Sequence, residues 1–189
     1  MKKCIFVLLL LAGAAMSVAQ PGKVYKSLKD VKNPEDVYIL KLNWKRLREI
    51  PPEVFTFTNL QELDLTRNNI DSIPSDIVRL QHLRVLSLGR NLVRHLPIEI
   101  GLLAELRELD LNRNPIAELP ESVAYLTHLQ KLILWGTGVE RLPESFAALD
   151  ATLQLLDLRS CALDISDQEQ ISTLLPSVKK KWDQACNCR

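Results

Sequence analysis

The chain has 189 residues, of which 47% are hydrophobic and 25% are charged, and its formal net charge is +1. This near-neutral charge argues against a general nucleic-acid-binding or anionic-membrane-binding protein, because either would need a large basic excess. The length is that of a single domain.

The first 19 residues have the layout of a secretory signal peptide. Lys2 and Lys3 precede an apolar core, Ile5 to Leu11, and a small-x-small cleavage site ends at Ala19. The core is shorter than the roughly 20 residues that span a bilayer, and no later apolar run is long enough. The short, lysine-led format resembles a bacterial export signal. We therefore expect a cleaved signal, a mature chain without a membrane span, and a periplasmic or extracellular location.

Residues 20–36 are predicted to form an N-terminal cap. Ser27, with Asp30 three residues later, is typical of a helix N-cap, and Asn33-Pro34 ends that helix. A short apolar stripe is expected to cover the open end of the domain that follows: Val24, Leu28 and Val31.

The segment 37–163 repeats itself every 23 residues. The copy at Leu60 reads LQELDLTRNNIDSIPSDIVRLQH, and its seven apolar columns are also apolar in the copies that begin at Val37, Leu83, Leu106 and Leu129. An incomplete sixth copy begins at Leu153. A proline follows the fifth column in every complete copy: Pro51, Pro74, Pro97, Pro120 and Pro143. Self-similarity at a fixed period indicates a solenoid.

The segments LQELDLTRNNI, LRVLSLGRNLV and LRELDLNRNPI resemble the leucine-rich repeat pattern L-x-x-L-x-L-x-x-N/C-x-L, and LPIEI and LPESV resemble its 23-residue subclass. The resemblance implies an α/β fold, a right-handed solenoid of about six repeats with a parallel concave sheet and helical caps at both ends. It implies binding of a protein or peptide, although the family binds many unrelated ligands.

Each L-x-L core predicts a short strand, and each proline predicts the start of an outer return segment. The asparagines at Asn68, Asn91 and Asn114 are expected to form an internal ladder that bonds the backbone at each turn. Lys45 and Thr137 interrupt this column, so the first and fifth turns should be bonded differently.

Residues 164–189 are predicted to form a C-terminal cap and tail. Ser166 and Glu169 match a capping box, and Pro176 should end the helix. We expect Lys179 to Lys181 to be solvated. Two apolar residues on either side of that run are expected to pack back on the repeats: Val178 and Trp182.

Three cysteines follow the signal: Cys161, Cys186 and Cys188. Cys161 falls in the asparagine column, where a small buried side chain is the favoured interpretation. An exported protein also permits a disulfide from Cys161 to either tail cysteine, but the sequence does not decide the pairing.

The variable positions between the leucines are expected to face the concave solvent. One column predicts an arginine ladder that begins beside Trp44: Arg67, Arg90 and Arg113. Two carboxylates within reach, Asp64 and Asp110, leave two alternatives open. The arginines either form a salt-bridge lattice with these aspartates or dock a partner's carboxylates and carbonyls.

A second feature of the same face is an apolar patch at its C-terminal end, formed by Ile133, Trp135 and Leu155. Exposed apolar clusters often mark interaction sites. The alternative is that Trp135 folds over the turn at Thr137-Gly138.

Catalytic interpretations have weaker support. His82, Glu105 and His128 share a column whose spacing does not suit a metal site. Alternate-strand aspartates on an open face offer no water-excluded pocket, and phosphate-binding or nucleophile motifs are lacking. We expect a monomer without catalytic residues, metal or cofactor, whose partner is a protein or peptide. The alternatives are a cell-wall or glycan binder that uses tryptophan stacking and a structural spacer at the envelope.

Overall fold

A computed structural model describes residues 22–161 and 163–183. Within these residues eight strands form one parallel sheet in chain order, each strand pairing with the next. They are β1 (Val24–Tyr25), β2 (Ile39–Lys41), β3 (Glu62–Asp64), β4 (Val85–Ser87), β5 (Glu108–Asp110), β6 (Lys131–Ile133), β7 (Leu155–Asp157) and β8 (Lys179–Lys181). The predicted parallel solenoid is confirmed, and each cap adds a strand to the six that the repeats supply.

The outer face of the solenoid consists of short 3₁₀ helices. Each of the five repeat prolines is the N-cap residue of one of them. Proline suits this place because it lacks a backbone N–H and fixes φ near the value that the helix start requires. The helices are Pro52–Thr56, Ser75–Arg79, Ile98–Leu102, Glu121–Tyr125 and Glu144–Leu149.

The core fills the space between the sheet and the outer helices. The side chains of all seven apolar columns are buried in the five complete repeats, except Leu47, which is half-buried against the same core. Each large aliphatic side chain buried in this way contributes roughly 1.5–3 kcal/mol. Gly101 lets two neighbouring outer helices touch, because a Cβ there would collide with the carbonyl oxygen of Ser122.

The asparagine column forms the predicted internal ladder. The Asn91 amide donates to the carbonyl oxygens of Leu65 at 2.9 Å and Leu88 at 2.8 Å, and its Oδ1 accepts from the Ile70 N–H at 3.0 Å. Asn68 and Asn114 repeat this pattern. Each asparagine therefore bonds its own turn to the preceding turn and satisfies buried backbone groups.

The two interruptions of the column are bonded differently, as expected. The N–H of Lys45 donates to Oδ1 of Asn68 at 2.9 Å. The asparagine of the second turn therefore supplies the bond that the first turn lacks. Thr137 Oγ1 donates to the Leu134 carbonyl of its own turn at 2.7 Å. The Cys161 thiol donates to the same carbonyl at 3.2 Å and so continues the ladder beyond Thr137.

The N-terminal cap contains β1 and two 3₁₀ helices, Leu28–Asp30 and Pro34–Asp36. Ser27 caps the first, as predicted, by accepting a hydrogen bond from the N–H of Lys29. The inward position predicted for Val24 is wrong, because Val24 lies in a strand and is 40% exposed. Alternation along β1 turns its neighbour Tyr25 into the core instead.

The C-terminal cap contains helix α1, Ile165–Leu174. The capping box predicted at Ser166 and Glu169 is wrong, because the chain is still extended at Asp164 and the reciprocal bonds join Asp164 and Asp167. The lysine run is β8, an edge strand paired with β7. The flanking residues do pack on the core as predicted, with Val178 buried and Trp182 half-buried.

Candidate functional site

Two rows of side chains cross the concave face because paired residues of parallel strands point to the same side. One row is Lys41, Asp64, Ser87, Asp110, Ile133, Asp157 and Lys181. The other is Ile39, Glu62, Val85, Glu108, Lys131, Leu155 and Lys179. The sheet thus brings the predicted aspartates, Ile133 and Leu155 onto one face.

The predicted arginine column lies at the rim of this face, just beyond the strand ends. Its residues have left-handed backbones, with φ of 58° at Arg67, 59° at Arg90 and 51° at Arg113. The prediction that they alternate as strand residues is therefore wrong, since each is the first residue of the turn. Trp44, Gly136 and Ser160 share the column and the conformation, at φ of 59°, 68° and 53°.

Left-handed backbone is unfavourable for residues with a Cβ and costs on the order of 1 kcal/mol each. Gly136 shows that this column accepts glycine, for which the conformation is free of strain. Arginine nevertheless occupies three consecutive turns, and all three side chains are exposed. Because all six residues of the column share the conformation, it belongs to the turn of each repeat and does not by itself mark the arginines as functional.

Two tryptophans hold two of these arginines. The guanidinium carbon of Arg67 lies 4.2 Å from the ring centroid of Trp44, as the predicted ladder required. That of Arg113 lies 4.4 Å from the ring centroid of Trp135, which Arg159 also approaches at 5.7 Å. The Trp135 ring therefore lies against two guanidinium groups, each a cation–π contact. We call Trp44, Arg67, Arg90, Arg113 and Trp135 the arginine ledge.

The middle arginine of the ledge has a free side chain. Among the residues that the structure describes, Arg90 makes no side-chain hydrogen bond, ion pair or ring contact. A guanidinium group presents five N–H donors in a planar fork. Arg90 therefore offers unused donors to a ligand, between two arginines whose planes are stacked on indoles.

Asp64 and Asp110 make no ion pair with the arginines of the ledge. Asp64 Oδ1 accepts from the backbone N–H of Thr66 at 2.9 Å and from its hydroxyl. Asp110 Oδ1 accepts from the backbone N–H and the side-chain amide of Asn112 in the same way. Of the two alternatives, the salt-bridge lattice with the arginines is thus absent within residues 22–161 and 163–183.

The third aspartate of the row is paired. Asp157 is buried, with 3% of its surface exposed, and its carboxylate accepts from Arg159 Nε at 2.9 Å and Nη2 at 2.7 Å. Burial alone would raise the pKa of Asp157, but the bonds and charge of Arg159 outweigh burial and lower it. This pair positions Arg159 beside Trp135.

The predicted apolar patch is less exposed than expected. Ile133, Trp135 and Leu155 are all half-buried, because their strands pair closely and the two arginines cover part of the indole. The ring of Trp135 contacts these arginines. The alternative contact of Trp135 was with the turn at Thr137-Gly138, and the backbone of Ile116 lies close to Gly138 in that turn. The patch remains an apolar element within a charged face.

Charge is unevenly distributed over the two rows. The rows carry only acidic charges on β3 to β5, at Glu62, Asp64, Glu108 and Asp110. Lysines follow on β6 and β8: Lys131, Lys179 and Lys181. Two ion pairs link adjacent strands, Lys41 with Glu62 at 2.7 Å and Lys131 with Glu108 at 3.0 Å. The bond to Glu62 raises the pKa of Lys41.

The histidine row has structural partners. His82 Nδ1 lies 2.9 Å from Glu105 Oε1, and Arg84 Nε lies 3.1 Å from Glu105 Oε2. The hydrogen bonds from His82 and then Arg84 lower the pKa of Glu105. His128 Nδ1 instead meets the Ala104 carbonyl at 2.9 Å. Within the described residues, no group of three or more His, Cys, Asp or Glu side chains could hold a metal ion.

Cys161 is half-buried, and burial raises the pKa of its thiol. Cys186 and Cys188, like the predicted signal peptide at residues 1–19, lie outside the described residues. A cavity of about 540 Å³ lies at the C-terminal cap, between α1 and Trp182. None of the predicted site residues lines it.

Sequence reasoning missed the left-handed turn and the role of Arg159. Gly136 was a usable signal for the turn, because a glycine within a column of otherwise larger residues indicates that the column needs positive φ. Arg159 lies in the repeat column next to the ledge, but its bond to Asp157 depends on side-chain conformations that a repeat pattern does not encode.

Many solved structures have a similar fold, and three of them illustrate the range. A leucine-rich repeat protein of Leptospira interrogans has 28% identity and a TM-score of 0.69, over 86% of this chain and 48% of that one. An internalin of Listeria monocytogenes has 22% identity and a TM-score of 0.67, over 80% and 44% of the two chains. The present chain thus spans about half the length of these proteins.

The third similar structure is the leucine-rich repeat ectodomain of the receptor kinase GASSHO1/SCHENGEN3 from Arabidopsis thaliana, in complex with CASPARIAN STRIP INTEGRITY FACTOR 2. It has 26% identity and a TM-score of 0.59, over 69% of this chain and 16% of that one. A comparison with curated proteins gave no match. Over residues 22–161 and 163–183 the helices are too short or too polar to span a bilayer.

Two family models match, a leucine-rich repeat over residues 35–93 and a leucine-rich repeat region over residues 81–174. They overlap and together cover the whole run of repeats and helix α1. These matches agree with the asparagine ladder, the parallel sheet and the proline-capped outer helices. The chain belongs to the leucine-rich repeat family.

Proposed function

We propose that this protein is a non-catalytic module that binds a protein or peptide on its concave sheet and the adjoining rim. The observation that carries the proposal is the arginine ledge, in which the Arg90 side chain has no partner among the described residues and lies between two arginines that contact tryptophan rings. Tryptophan and arginine are frequent anchors of protein interfaces. The residues assigned to the site are Trp44, Asp64, Arg67, Arg90, Asp110, Arg113, Ile133, Trp135 and Leu155.

Two kinds of contact support this assignment. The ledge supplies donors for carboxylates and backbone carbonyls. The half-buried Ile133 and Leu155 beside it supply apolar surface. An open face of this kind can hold an extended partner but does not exclude water from a reaction, and the family is generally a non-catalytic binding scaffold.

The area of the face bears on affinity. Eight strands in one sheet span about 34 Å at a strand spacing of about 4.8 Å, and three to five residues of strand span about 10–17 Å. That area is smaller than the roughly 800 Å² per partner of a standard protein interface. We therefore expect moderate affinity, or further contacts on the loops that flank the sheet.

We also propose export of the protein, with residues 1–19 as a cleaved signal, 20–36 and 164–189 as caps, and 37–163 as the repeats. The extracellular type of the similar Arabidopsis structure, an ectodomain in complex with another factor, supports both export and partner binding. The apolar segment at Ile5 to Leu11 supports export independently.

The test uses crosslinking capture from the native envelope with the full chain. Changing Arg67, Arg90 and Arg113 together to Glu reverses the charge of the ledge, so the proteins captured by the wild type should be lost. The matched control changes Arg48, Arg94 and Arg141 to Glu, which removes the same charge from exposed arginines elsewhere. Equal capture by the wild type and the ledge variant would overturn the proposal.

Glycan binding is the second candidate function, and the 65% exposure of Trp44 favours it. Against it, a guanidinium group lies on each indole and competes with a sugar for that face. The variant Trp135→Ala distinguishes glycan binding from protein binding. Loss of polysaccharide retention with unchanged protein capture would support the glycan. If no ligand is captured in either assay, the structural spacer is supported.

A further inference from the structure

The arginine ledge also indicates what kind of ligand fits it, and this inference rests on the proposed function. The three guanidinium groups make no ion pair with the neighbouring aspartates, since Asp64 and Asp110 are bonded within their own turns. A negatively charged ligand group is therefore favoured where it contacts the guanidinium groups at the rim, whereas the acidic side chains of β3 and β5 disfavour it over the sheet itself.

The repeat fixes the spacing of the ledge. Adjacent arginines belong to turns one strand apart, and strands in a sheet are spaced by about 4.8 Å, so the backbones of Arg67 and Arg113 should be about 9.6 Å apart along the solenoid, with their side chains at a similar spacing if they extend in parallel. A chain in the polyproline II conformation rises about 3.1 Å per residue with three residues per turn, so every third side chain returns to the same face after about 9.3 Å. These two distances agree closely.

Other regular conformations suit the ledge less well. In a β-strand, side chains on one face are about 6.6 Å apart, which matches neither one nor two strand spacings. An α-helix uses its own carbonyl groups internally, whereas a polyproline II chain leaves its carbonyls unbonded. Arg90 has free donors midway along the ledge, where such a carbonyl would lie between two acidic side chains.

We infer that the arginine ledge binds an extended acidic peptide segment whose acidic side chains are three residues apart. One carboxylate lies on Arg67, the next on Arg113, and a backbone carbonyl between them accepts from Arg90. The stacking of Arg67 on Trp44 and of Arg113 on Trp135 fixes the two outer guanidinium groups before the ligand arrives, which lowers the entropy lost on binding.

The test compares two labelled peptides of the same composition, both acetylated and amidated so that terminal charges are absent. One contains three consecutive Glu-Pro-Pro units, and the other places the same glutamates at every second position. Proline keeps both peptides extended. With the full-length protein, fluorescence anisotropy should give about tenfold tighter binding of the first peptide, and higher ionic strength should weaken it.

Three variants assign the preference to the ledge. The double variant Arg67→Gln with Arg113→Gln should bind the two peptides equally. The control Arg48→Gln with Arg94→Gln removes the same charge and should keep the tighter binding of the Glu-Pro-Pro peptide. Arg90→Gly should weaken binding of both peptides while the protein stays folded, because glycine accepts the backbone found there. A circular dichroism spectrum and a thermal transition at or above the wild-type temperature would verify folding.

Three results would overturn the inference. They are equal affinities for the two peptides, a preference that survives in the Arg67/Arg113 variant, and displacement of the peptide by polygalacturonate at comparable charge concentration, which would indicate an anionic glycan. If one of these three results is found while the ledge variants still lose the captured native partner, the inference fails and the proposed function stands. If the wild type captures no partner through this face, the proposed function fails.

Discussion

Asp157 is the residue at which burial and pairing oppose each other most directly. Its carboxylate is almost fully removed from water, a situation that favours the neutral acid, yet two guanidinium nitrogens of Arg159 keep it ionised. Removing one member of such a pair leaves the other buried without compensation. Arg159 thus stabilises the last repeat and at the same time lies against Trp135.

The first prediction concerns Arg159→Gln. The pKa of Asp157 in the folded protein lies below its ordinary value, so the pair stabilises the fold above about pH 4 and loses this effect as pH falls through the folded pKa. In the variant, burial is no longer opposed by Arg159, so the pKa of Asp157 should rise above its ordinary value. The free energy of unfolding should then be lower than that of the wild type near neutral pH, and the deficit should shrink on acidification.

Urea denaturation at several pH values, together with a carboxyl NMR titration of Asp157, measures both effects. Arg141→Gln is the control, because its partner Glu118 is 3.6 Å away and both side chains are exposed. A deficit that is independent of pH would contradict the explanation.

At this scale the sequence predicted the columns but not all of the conformations. The buried leucines and the asparagine ladder follow from period and residue type alone, because an interior position admits few alternatives. The ledge was found as a column of arginines, but its place at the rim depends on a left-handed turn at Arg67, Arg90 and Arg113. The stacking of Arg67 on Trp44 was foreseeable from their adjacent turns. That of Arg113 on Trp135 was not, since the two belong to different columns.

At the scale of elements, the start of α1 shows how tertiary structure selects between two similar signals. Both Asp164 with Asp167 and Ser166 with Glu169 have the spacing of a capping box. Leu163 packs on the core and keeps the chain extended through Asp164, so the helix begins at Ile165. In this register Ile171 and Leu175 are buried.

The second prediction follows from that register. Asp164→Ala should lower the free energy of unfolding by about 1 kcal/mol, the usual effect of removing an N-cap side chain. Ser166→Ala should change it little, because Ser166 is exposed and lies inside the helix. Thermal or urea denaturation of the two single variants measures the difference. A larger loss of stability in Ser166→Ala than in Asp164→Ala would show that the helix is capped as the sequence predicted.

The terminal strands could not be predicted for a related reason. Val24–Tyr25 has two residues, and Lys179–Lys181 has a composition that disfavours strands. Their backbones are ordered by the strands beside them, β2 and β7, so the pairing partner and not the local sequence decides their conformation.

For the whole molecule, the two ends of the sheet are the places where another chain could add a strand. Lysines occupy both: Lys23 and Lys26 flank β1, and β8 consists entirely of lysine. Charged side chains, lysine above all, are a common means by which edge strands avoid pairing with other molecules. Head-to-tail stacking of solenoids would bring these like charges together.

The third prediction is that Lys179→Thr with Lys181→Thr promotes self-association, since it removes charge from the edge and adds a residue type that favours strands. Sedimentation velocity over a concentration series should show oligomers at concentrations where the wild type stays monomeric. Lys45→Thr with Arg48→Thr removes the same charge from exposed positions away from the edge. Equal association of the two double variants would show that net charge, and not the strand, is responsible.

The asparagine bonds have a mechanical consequence, because each one runs from its own turn to the turn before it. The Thr137 hydroxyl bonds to the Leu134 carbonyl of its own turn and lies 3.5 Å from Cys161 Sγ of the following turn, so among the described residues no such amide bond joins the fourth repeat to the fifth. The strands still pair across that seam, and Arg113 crosses it to reach Trp135. We therefore expect the junction of the fourth and fifth repeats to yield more readily than the asparagine-bonded junctions before it, and flexing there would change the distance between the rings of Trp44 and Trp135.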